Sequence, residues 1–381
     1  MAANSRKGYG VSEQEFKQRL DKIADRLPRN VLSGIPPMPF DKWICMSGMQ
    51  KAIRRGDEAL AVRLALSLWS QDKRALWRRL AVIATEDVAM GDIETVLDVT
   101  VVAKFSAWRK MAGDAALGVH FAQRLARVAK TRYLTELYLY CDRSKQAAKA
   151  RKWAEKASFK ELASTLHDPT KEAPPQALAF WGLFGSRRFE AKKFQRPDGD
   201  VEEAIKTVKK MPVPEEILAV CTATVGTPHF PLTMLLPIGW LEMQREATNL
   251  TIRKETPVSS PEHNGLPMFC ADGLYTRTGI DSIKRLKKAV PELSGYTNTA
   301  IGEGFFFIEA ETLNPRLTCD KWDHFRQQSI NAVMQSLGVD GEEYMALQRS
   351  LIKNYDLYND IRLAKVAAMP EATPDMFAGL K

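Results

Sequence analysis

The sequence lacks the patterns that mark secreted, membrane-spanning and metal-binding proteins. Its five cysteines are scattered and odd in number, so no disulfide framework is expected and the reducing cytoplasm is the predicted location. No apolar run of about eighteen residues occurs, and no apolar stretch follows the first charges, which argues against a membrane span and a secretion leader. The five histidines are far apart, with no Cys-x-x-Cys or His-x-x-x-His pair. We therefore predict no metal site and no cofactor.

Catalytic motifs are missing as well. The chain contains no Gly-x-x-x-x-Gly-Lys-Ser/Thr loop, whose backbone amides would surround phosphates, and no nucleophile elbow. Adjacent acids such as Glu86 and Asp87 do occur, but neighbouring residues on a helix do not face each other and seldom converge on one ion. We therefore predict that the protein is not an enzyme. One alternative is an enzyme, for instance a nuclease, with its site around Asp272 to Gly279.

The composition indicates a folded, mainly helical protein. Hydrophobic residues make up 45% of the 381 residues, and eight are tryptophan, which is typical of a globular chain with a sizeable core. Apolar residues recur at steps of three and four, as in Leu60, Leu64 and Leu68, which predicts helices that bury one face. Gly56 can end one of these helices. Little β structure is expected; residues 250–253 are the one strand expected between residues 226 and 267, and the buried run 304–308 is either strand or helix.

Two motifs lie between residues 40 and 140. The first, Ser-x-x-x-Lys-x-Ile-Arg-x-x-Asp, is matched by Ser47, Lys51, Ile53, Arg54 and Asp57. The second, Arg-Arg-Leu-x-x-x-Ala-x-Glu-Asp-Ile-Gly-x-Ala-Asp, is matched except at the Ile, Gly and second Ala positions by Arg78, Arg79, Leu80, Ala84, Glu86, Asp87 and Asp92. This region resembles the C-terminal oligomerisation, or collar, domain of the RarA/MgsA and Werner-interacting-protein family of clamp-loader-like AAA+ ATPases.

The resemblance implies a helical collar-like domain that assembles copies of this chain into a homo-oligomer. Only 39 residues precede the matched region, too few for an ATPase module, so a collar without its motor is expected. The resemblance also implies a role in replication, repair or transcription, and a motor-less copy suggests a phage or mobile element as its source. We interpret Arg78, Arg79, Glu86 and Asp87 as members of a buried or intersubunit ion-pair network rather than as catalytic groups.

The charge distribution points to nucleic acid as a partner. The net charge is +9, and residues 101–200 carry 20 Lys and Arg against 10 Asp and Glu. A concentrated basic surface attracts polyanions because each neutralised phosphate releases counterions. The competing interpretation is a basic protein without a nucleic-acid function, since many soluble proteins have a comparable charge.

Two stretches concentrate the cations. Residues 143–162 predict one strongly charged helix, whose lysines form either a solvated face, which the pattern alone favours, or a phosphate-binding face. Residues 180–196 mix five aromatic with five cationic side chains, the combination that binds single-stranded nucleic acid; the equal alternative is a helical hairpin whose aromatics belong to the core. The predicted nucleic-acid-binding residues in the two stretches are Lys149, Arg151, Lys152, Lys156, Trp181, Phe184, Arg187, Arg188, Phe189, Lys192, Lys193 and Arg196.

A third candidate is the loop from Asp272 to Gly279, which leads into a predicted helix over residues 280–290. Backbone amides at this helix start, together with Arg277 and Lys284, would hold one phosphate. A loop stabilised locally by Asp272 is the alternative and is slightly favoured.

These observations divide the chain into three predicted segments. Residues 1–39 form an N-terminal helix and a proline-rich linker, residues 40–165 the collar-like domain, and residues 166–381 a mostly helical C-terminal domain. The predicted function is that of a non-enzymatic accessory protein that binds DNA, single-stranded rather than duplex. The alternative is an adaptor that binds a recombination ATPase or a polymerase without contacting DNA.

Overall fold

A computed structural model describes residues 13–28, 32, 34–189, 191–225 and 232–369, without the side chains of Arg188 and Phe189. Within these ranges the chain forms nineteen α-helices and four short β-strands. The predicted mainly α fold class is therefore confirmed. None of the described helices combines the length and the apolar composition needed to cross a bilayer.

The first of the helices belongs to the N-terminal segment, and the next seven cover the region that resembles the collar. The side chains of Asp41, Asp57, Asp72 and Asp92 each accept a hydrogen bond from a backbone N–H in the first turn of a helix, as helix caps do. Gly56, with a φ of 75°, ends α2 as predicted. The helices are α1 (Lys17–Arg26), α2 (Lys42–Arg55), α3 (Glu58–Gln71), α4 (Lys73–Ile83), α5 (Ile93–Lys104), α6 (Ser106–Ala112), α7 (Asp114–Arg127) and α8 (Tyr133–Arg143).

Eleven further helices follow. Short 3-10 turns and loops separate most of them, and a π-helical turn, Ala84–Val88, follows α4 earlier in the chain. The eleven are α9 (Ala148–Lys156), α10 (Phe159–His167), α11 (Ala173–Phe184), α12 (Val201–Val208), α13 (Glu215–Ala223), α14 (Leu236–Arg245), α15 (Arg277–Ala289), α16 (Asn298–Glu309), α17 (Asp320–Ser336), α18 (Gly341–Lys353) and α19 (Tyr355–Ala367).

The stretch from 143 to 162 is not one helix, so that prediction was wrong. Helix α8 ends at Arg143, α9 begins at Ala148, and α10 begins at Phe159. The break before α10 has a local cause, because the Ser158 hydroxyl accepts a hydrogen bond from the Glu161 N–H while the Glu161 carboxylate accepts one from the Ser158 N–H. This reciprocal pair is a capping box, which starts a helix.

Four strands form two small antiparallel pairs. Strand β1 (Thr251–Arg253) pairs with β4 (Arg316–Thr318), and β2 (Glu262–His263) pairs with β3 (Leu266–Pro267). The predicted strand at 250–253 is confirmed. Strand β4 also forms a parallel bridge through Arg316 to Lys130, which fixes it against the loop before α8.

The described residues form two main hydrophobic cores and a third, small cluster of Val62, Leu66 and Val119. The larger core draws side chains from α1 to α14 and also includes Trp322 of α17 and Val366 of α19. The second main core is built from α15, α16, α18, α19 and their neighbours. Side chains far apart in sequence therefore share the larger core. The division into three segments stays a prediction.

Candidate nucleic-acid interface

The aromatic side chains of α11 are sealed in the core. Trp181 is 0% exposed and Phe184 is 1% exposed, and the Trp181 ring lies 5.3 Å from Tyr138 and 6.1 Å from Phe194, measured between centroids. Helix α11 packs against α8, α9, α10, α12 and α14, which leaves these two rings no open side. Enclosed rings cannot stack on bases, so the prediction of Trp181 and Phe184 as nucleic-acid ligands was wrong and the core interpretation is correct.

Two of the predicted arginines hold the protein's own backbone. Arg151 is 6% exposed and donates through Nη1 to the Cys141 carbonyl at 2.8 Å, so its prediction as a phosphate ligand was wrong. Arg196 is half-buried and donates through Nη1 to the carbonyls of Ala154 and Ala157 at 3.1 and 2.5 Å. These are carbonyls at the end of α9, which lack partners within the helix. Both arginines therefore fasten α9 to its neighbours.

The lysines of α9 face solvent. Lys149, Lys152 and Lys156 are all exposed, and their spacing of three and four residues places them on one side of the helix. Among the described residues, no carboxylate lies within ion-pair distance of any of the three ammonium groups. Their charge is therefore available to a polyanion.

A second exposed pair of cations is fastened beside α9. The backbone N–H groups of Lys192 and Lys193 both donate to the Asp142 carboxylate, at 2.9 and 2.8 Å, and Gln195 N–H donates to Glu155 of α9 at 2.8 Å. Five of the predicted ligands are thus exposed on α9 or on the segment that is bonded to α8 and α9. We call this set the basic surface: Lys149, Lys152, Lys156, Lys192 and Lys193.

The remaining predicted ligands of this stretch differ from one another. Arg187 is exposed, and its guanidinium lies 3.6 Å from the Asp198 carboxylate, a pair in which both side chains are highly exposed. Exposed ion pairs of this kind contribute little to stability, so Arg187 can leave Asp198 to bind a ligand. Arg188 and Phe189 lie in the short 3-10 turn Ser186–Phe189, and their side chains fall outside the described part of the chain.

Arg277 and Lys284 lie at a different place, on α15. Together with Trp43, Tyr275, Ile280 and Asp281 they line a surface hollow of about 430 Å³, which we call the aromatic hollow. Sequence analysis missed Trp43, because tryptophan is buried in most contexts and nothing in the residues around it signals exposure.

A buried ion pair joins α2, which carries Trp43, to the loop that carries Tyr275. Lys51 of α2 forms a salt bridge with Asp272, their side chains being 3% and 2% exposed, and Lys51 also donates to the Ser47 hydroxyl at 2.7 Å. Burial by itself would raise the pKa of Asp272, but the Lys51 ammonium and the N–H groups of Leu274 and Tyr275 hold that pKa below its ordinary value. Asp272 therefore remains charged and bound at neutral pH.

Asp272 in turn orders the residues that follow it. Its Oδ1 accepts from the N–H groups of Leu274 and Tyr275 at 2.5 and 2.9 Å, and its carbonyl accepts from the Thr276 hydroxyl. Thr276 then caps α15 by accepting from the Gly279 N–H at 3.0 Å. A side chain at Gly279 would collide with the Asp272 backbone, which explains the glycine. The locally stabilised loop is confirmed by these bonds, and it fixes Tyr275 and Arg277 beside Trp43.

The charged residues of the two motifs form a buried ionic cluster. Asp87, 0% exposed, accepts from Arg54 Nε at 2.7 Å, from Arg132 Nη1 at 2.9 Å and from Gln50 Nε2 at 2.9 Å. The cluster continues from Arg132 to Glu311, at 3.3 Å. The predicted ion-pair network thus includes Asp87 and forms within one chain.

Of the other charged motif residues, Glu86 and Arg79 lie at the edge of the buried ionic cluster. Glu86 is partly exposed and lies 3.4 Å from Arg54, and Arg79 donates to Gln50 at 3.2 Å. Arg78 is exposed, with no carboxylate within ion-pair distance among the described residues, because its position on α4 turns it away from the cluster. The prediction that Arg78 joins the buried network was therefore wrong for a single chain.

Glu136 makes stability dependent on pH. Burial raises the pKa of Glu136 to about 7, Arg326 opposes this rise, and Glu311 adds to it. Since the folded state keeps this proton up to a higher pH than the unfolded state, the contribution of Glu136 to stability is lost as the pH rises from about 4.5 to about 7. The free energy of unfolding of Glu136→Gln, measured relative to that of the native chain, should therefore rise by up to about 3 kcal/mol between pH about 4.5 and about 7.

Urea unfolding at both ends of the range measures the effect. The exposed Glu202 offers the matched control, because Glu202→Gln makes the same chemical change at the surface. It should change the free energy of unfolding by the same amount at both pH values. A Glu136→Gln variant that tracks the native chain at both pH values would contradict the assignment.

Potential metal ligands and thiols are found in the described part of the chain. That part contains no group of three or more His, Cys, Asp or Glu side chains arranged to hold a metal ion. All five cysteines are buried, and burial raises the pKa of Cys45 to about 12, which keeps this thiol protonated and unreactive. No family model, no curated protein and no solved structure matches this chain, so the likeness to the collar domain rests on the two motifs.

Proposed function

We propose that the protein is a non-enzymatic accessory protein that binds nucleic acid through the basic surface. The observation that carries the proposal is the presence of five exposed lysines, three on α9 and two on the segment that follows α11, whose backbone is bonded to Asp142 of α8 and Glu155 of α9. Ammonium groups track a phosphate backbone by charge rather than by base sequence. The rings that would have given a preference for single strands are buried in α11, so the basic surface alone serves single strands and duplex alike.

The strength of binding should depend steeply on salt. Each phosphate contact releases condensed counterions, and the slope of log affinity against log salt is about −0.7 per contact for single strands and about −0.9 for duplex DNA. Four lysine contacts would therefore lower affinity on the order of 50-fold for a single strand and on the order of 150-fold for a duplex between about 50 and about 200 mM monovalent salt.

Charge reversal on the basic surface tests the proposal. The variant with Lys152→Glu, Lys156→Glu and Lys192→Glu should bind a labelled oligonucleotide at least about tenfold more weakly in fluorescence anisotropy, because three phosphate contacts become repulsive. All three side chains are exposed, so the fold should be unaffected.

A control variant of equal charge separates the surface from the whole molecule. Lys22, Lys110 and Lys254 are also exposed, and their replacement by glutamate changes the net charge by the same amount elsewhere. Equal losses in both triple variants, or no binding by the native chain at low salt, would overturn the proposal.

The likeness to the collar domain supports a second property, self-association. We propose that residues 40–140 assemble copies of the chain, which light scattering would measure directly. The participation of the protein in replication, repair or transcription is proposed on the same likeness.

A further inference from the structure

We infer that the aromatic hollow binds one unpaired nucleotide, with its base against Trp43 or Tyr275 and its phosphate held by Arg277 and Lys284. The inference rests on the proposed nucleic-acid binding and adds to it a preference for single strands. It relocates the base-contacting site from α11 to the junction of α2 and α15.

The two rings are unusually accessible. Trp43 is 50% exposed and Tyr275 is 54% exposed, although large aromatic side chains are mostly buried. Both line the same hollow, and the described residues show no direct contact between the two rings. The volume of about 430 Å³ falls in the range of small-molecule sites. A flat ring of a base would therefore find an open stacking surface.

The charges around the hollow complement a phosphate. Arg277 and Lys284 are exposed, and no carboxylate lies within ion-pair distance of the Arg277 guanidinium among the described residues. Asp281 is the one acid in the lining; it is offset by Lys284 at 3.1 Å and by Lys365 at 3.9 Å. The lining therefore carries a net positive charge, with Arg277 free to form a forked pair with a phosphate.

Both walls of the hollow are held rigidly. The Asp41 carboxylate accepts from the N–H groups of Trp43 and Ile44 at 2.8 and 3.1 Å, which fixes the start of α2. The Lys42 ammonium lies 5.5 Å from the centre of the Trp43 ring. On the opposite wall, the Asp272 turn fixes Tyr275. Because the walls are ordered before a ligand arrives, little conformational freedom is lost on binding.

Binding of an oligothymidylate and of a duplex of equal length, compared by fluorescence anisotropy, tests the inference. Trp43→Ala or Tyr275→Ala, whichever removes the ring on which the base stacks, should lower affinity for the oligothymidylate about tenfold and leave affinity for the duplex unchanged. Trp43→Phe and Tyr275→Phe keep a ring and should retain most of the affinity. Charge reversal on the basic surface, in contrast, should weaken the binding of both nucleic acids.

Photochemical cross-linking gives a readout that does not depend on a variant. An oligonucleotide containing bromodeoxyuridine should cross-link to the peptide that contains Trp43 or Tyr275 in the native chain. Cross-links confined to other peptides, or alanine variants that bind both nucleic acids as the native chain does, would overturn the inference while leaving the proposed function standing. Alanine variants that lose self-association but keep oligothymidylate binding would instead assign the hollow to a second copy of the chain.

Discussion

Asp87→Ala is expected to lower the free energy of unfolding by about 3–5 kcal/mol, enough to unfold a domain of ordinary stability. The Asp87 carboxylate is fully enclosed and bound by Arg54, Arg132 and Gln50. Its removal leaves two guanidinium groups buried, with Glu86 and Glu311 as their remaining counter-charges. A buried charge that loses its partner keeps its cost of desolvation, and this cost accounts for the large effect.

Urea denaturation followed by circular dichroism would measure this loss. Glu86→Gln is the matched control, because Glu86 belongs to the same cluster but is partly exposed, with longer contacts of 3.4 and 3.5 Å to Arg54 and Arg132. Water can replace the Glu86 carboxylate, so the control should cost much less than Asp87→Ala. A cost for Asp87→Ala below that of the control would contradict the assignment of Asp87 as the centre of the cluster.

Lys51→Met is expected to have an effect of similar size, about 3–5 kcal/mol, since it leaves the Asp272 carboxylate buried without its ammonium partner. Methionine fills nearly the same volume as lysine, so the packing around position 51 should be kept. The Asp272 turn also positions Tyr275, and the variant should therefore weaken oligothymidylate binding more than duplex binding, at temperatures where it is still folded.

The double variant Lys51→Met with Asp272→Asn isolates the pair. Removing both charges leaves no unpaired ion, so the double variant should be more stable than Lys51→Met alone. Calorimetric melting of the native chain, of Lys51→Met, of Asp272→Asn and of the double variant gives the coupling energy between the two side chains. Additive losses would show that Lys51 and Asp272 act independently, against the geometry of the buried pair.

The sequence allowed the helices to be predicted where their ends carry chemical signals. Gly56, which ends α2, is such a local signal, and periodic apolar residues such as Leu60, Leu64 and Leu68 locate the buried face of the helix that follows it. The capping box at Ser158 was also readable, but the charge pattern on either side of it obscured the break between α9 and α10.

The candidate site was less predictable, because exposure of a ring depends on what packs against it. Trp181 and Phe184 lie in α11, whose residues from Ala177 to Phe184 are all apolar; a helix that is apolar all round is a buried helix, and this signal outweighs the neighbouring cations. Trp43 gave no comparable signal, and its proximity to Arg277 depends on the contact of Lys51 with Asp272, 221 residues away. Such a long-range pair leaves no mark in local periodicity.

The docking of β4 has a consequence for any attempt to excise the region that resembles a collar. The Asn314 N–H donates to the Arg54 carbonyl at 2.8 Å, and the Asn314 carbonyl accepts from the buried Lys130 ammonium at 2.9 Å. A fragment truncated near residue 165 would lose these partners and also Glu311, leaving Lys130 and Arg132 under-compensated. The region is thus contiguous in sequence but completed in space by the C-terminal third, and a recombinant fragment would need that third supplied in trans.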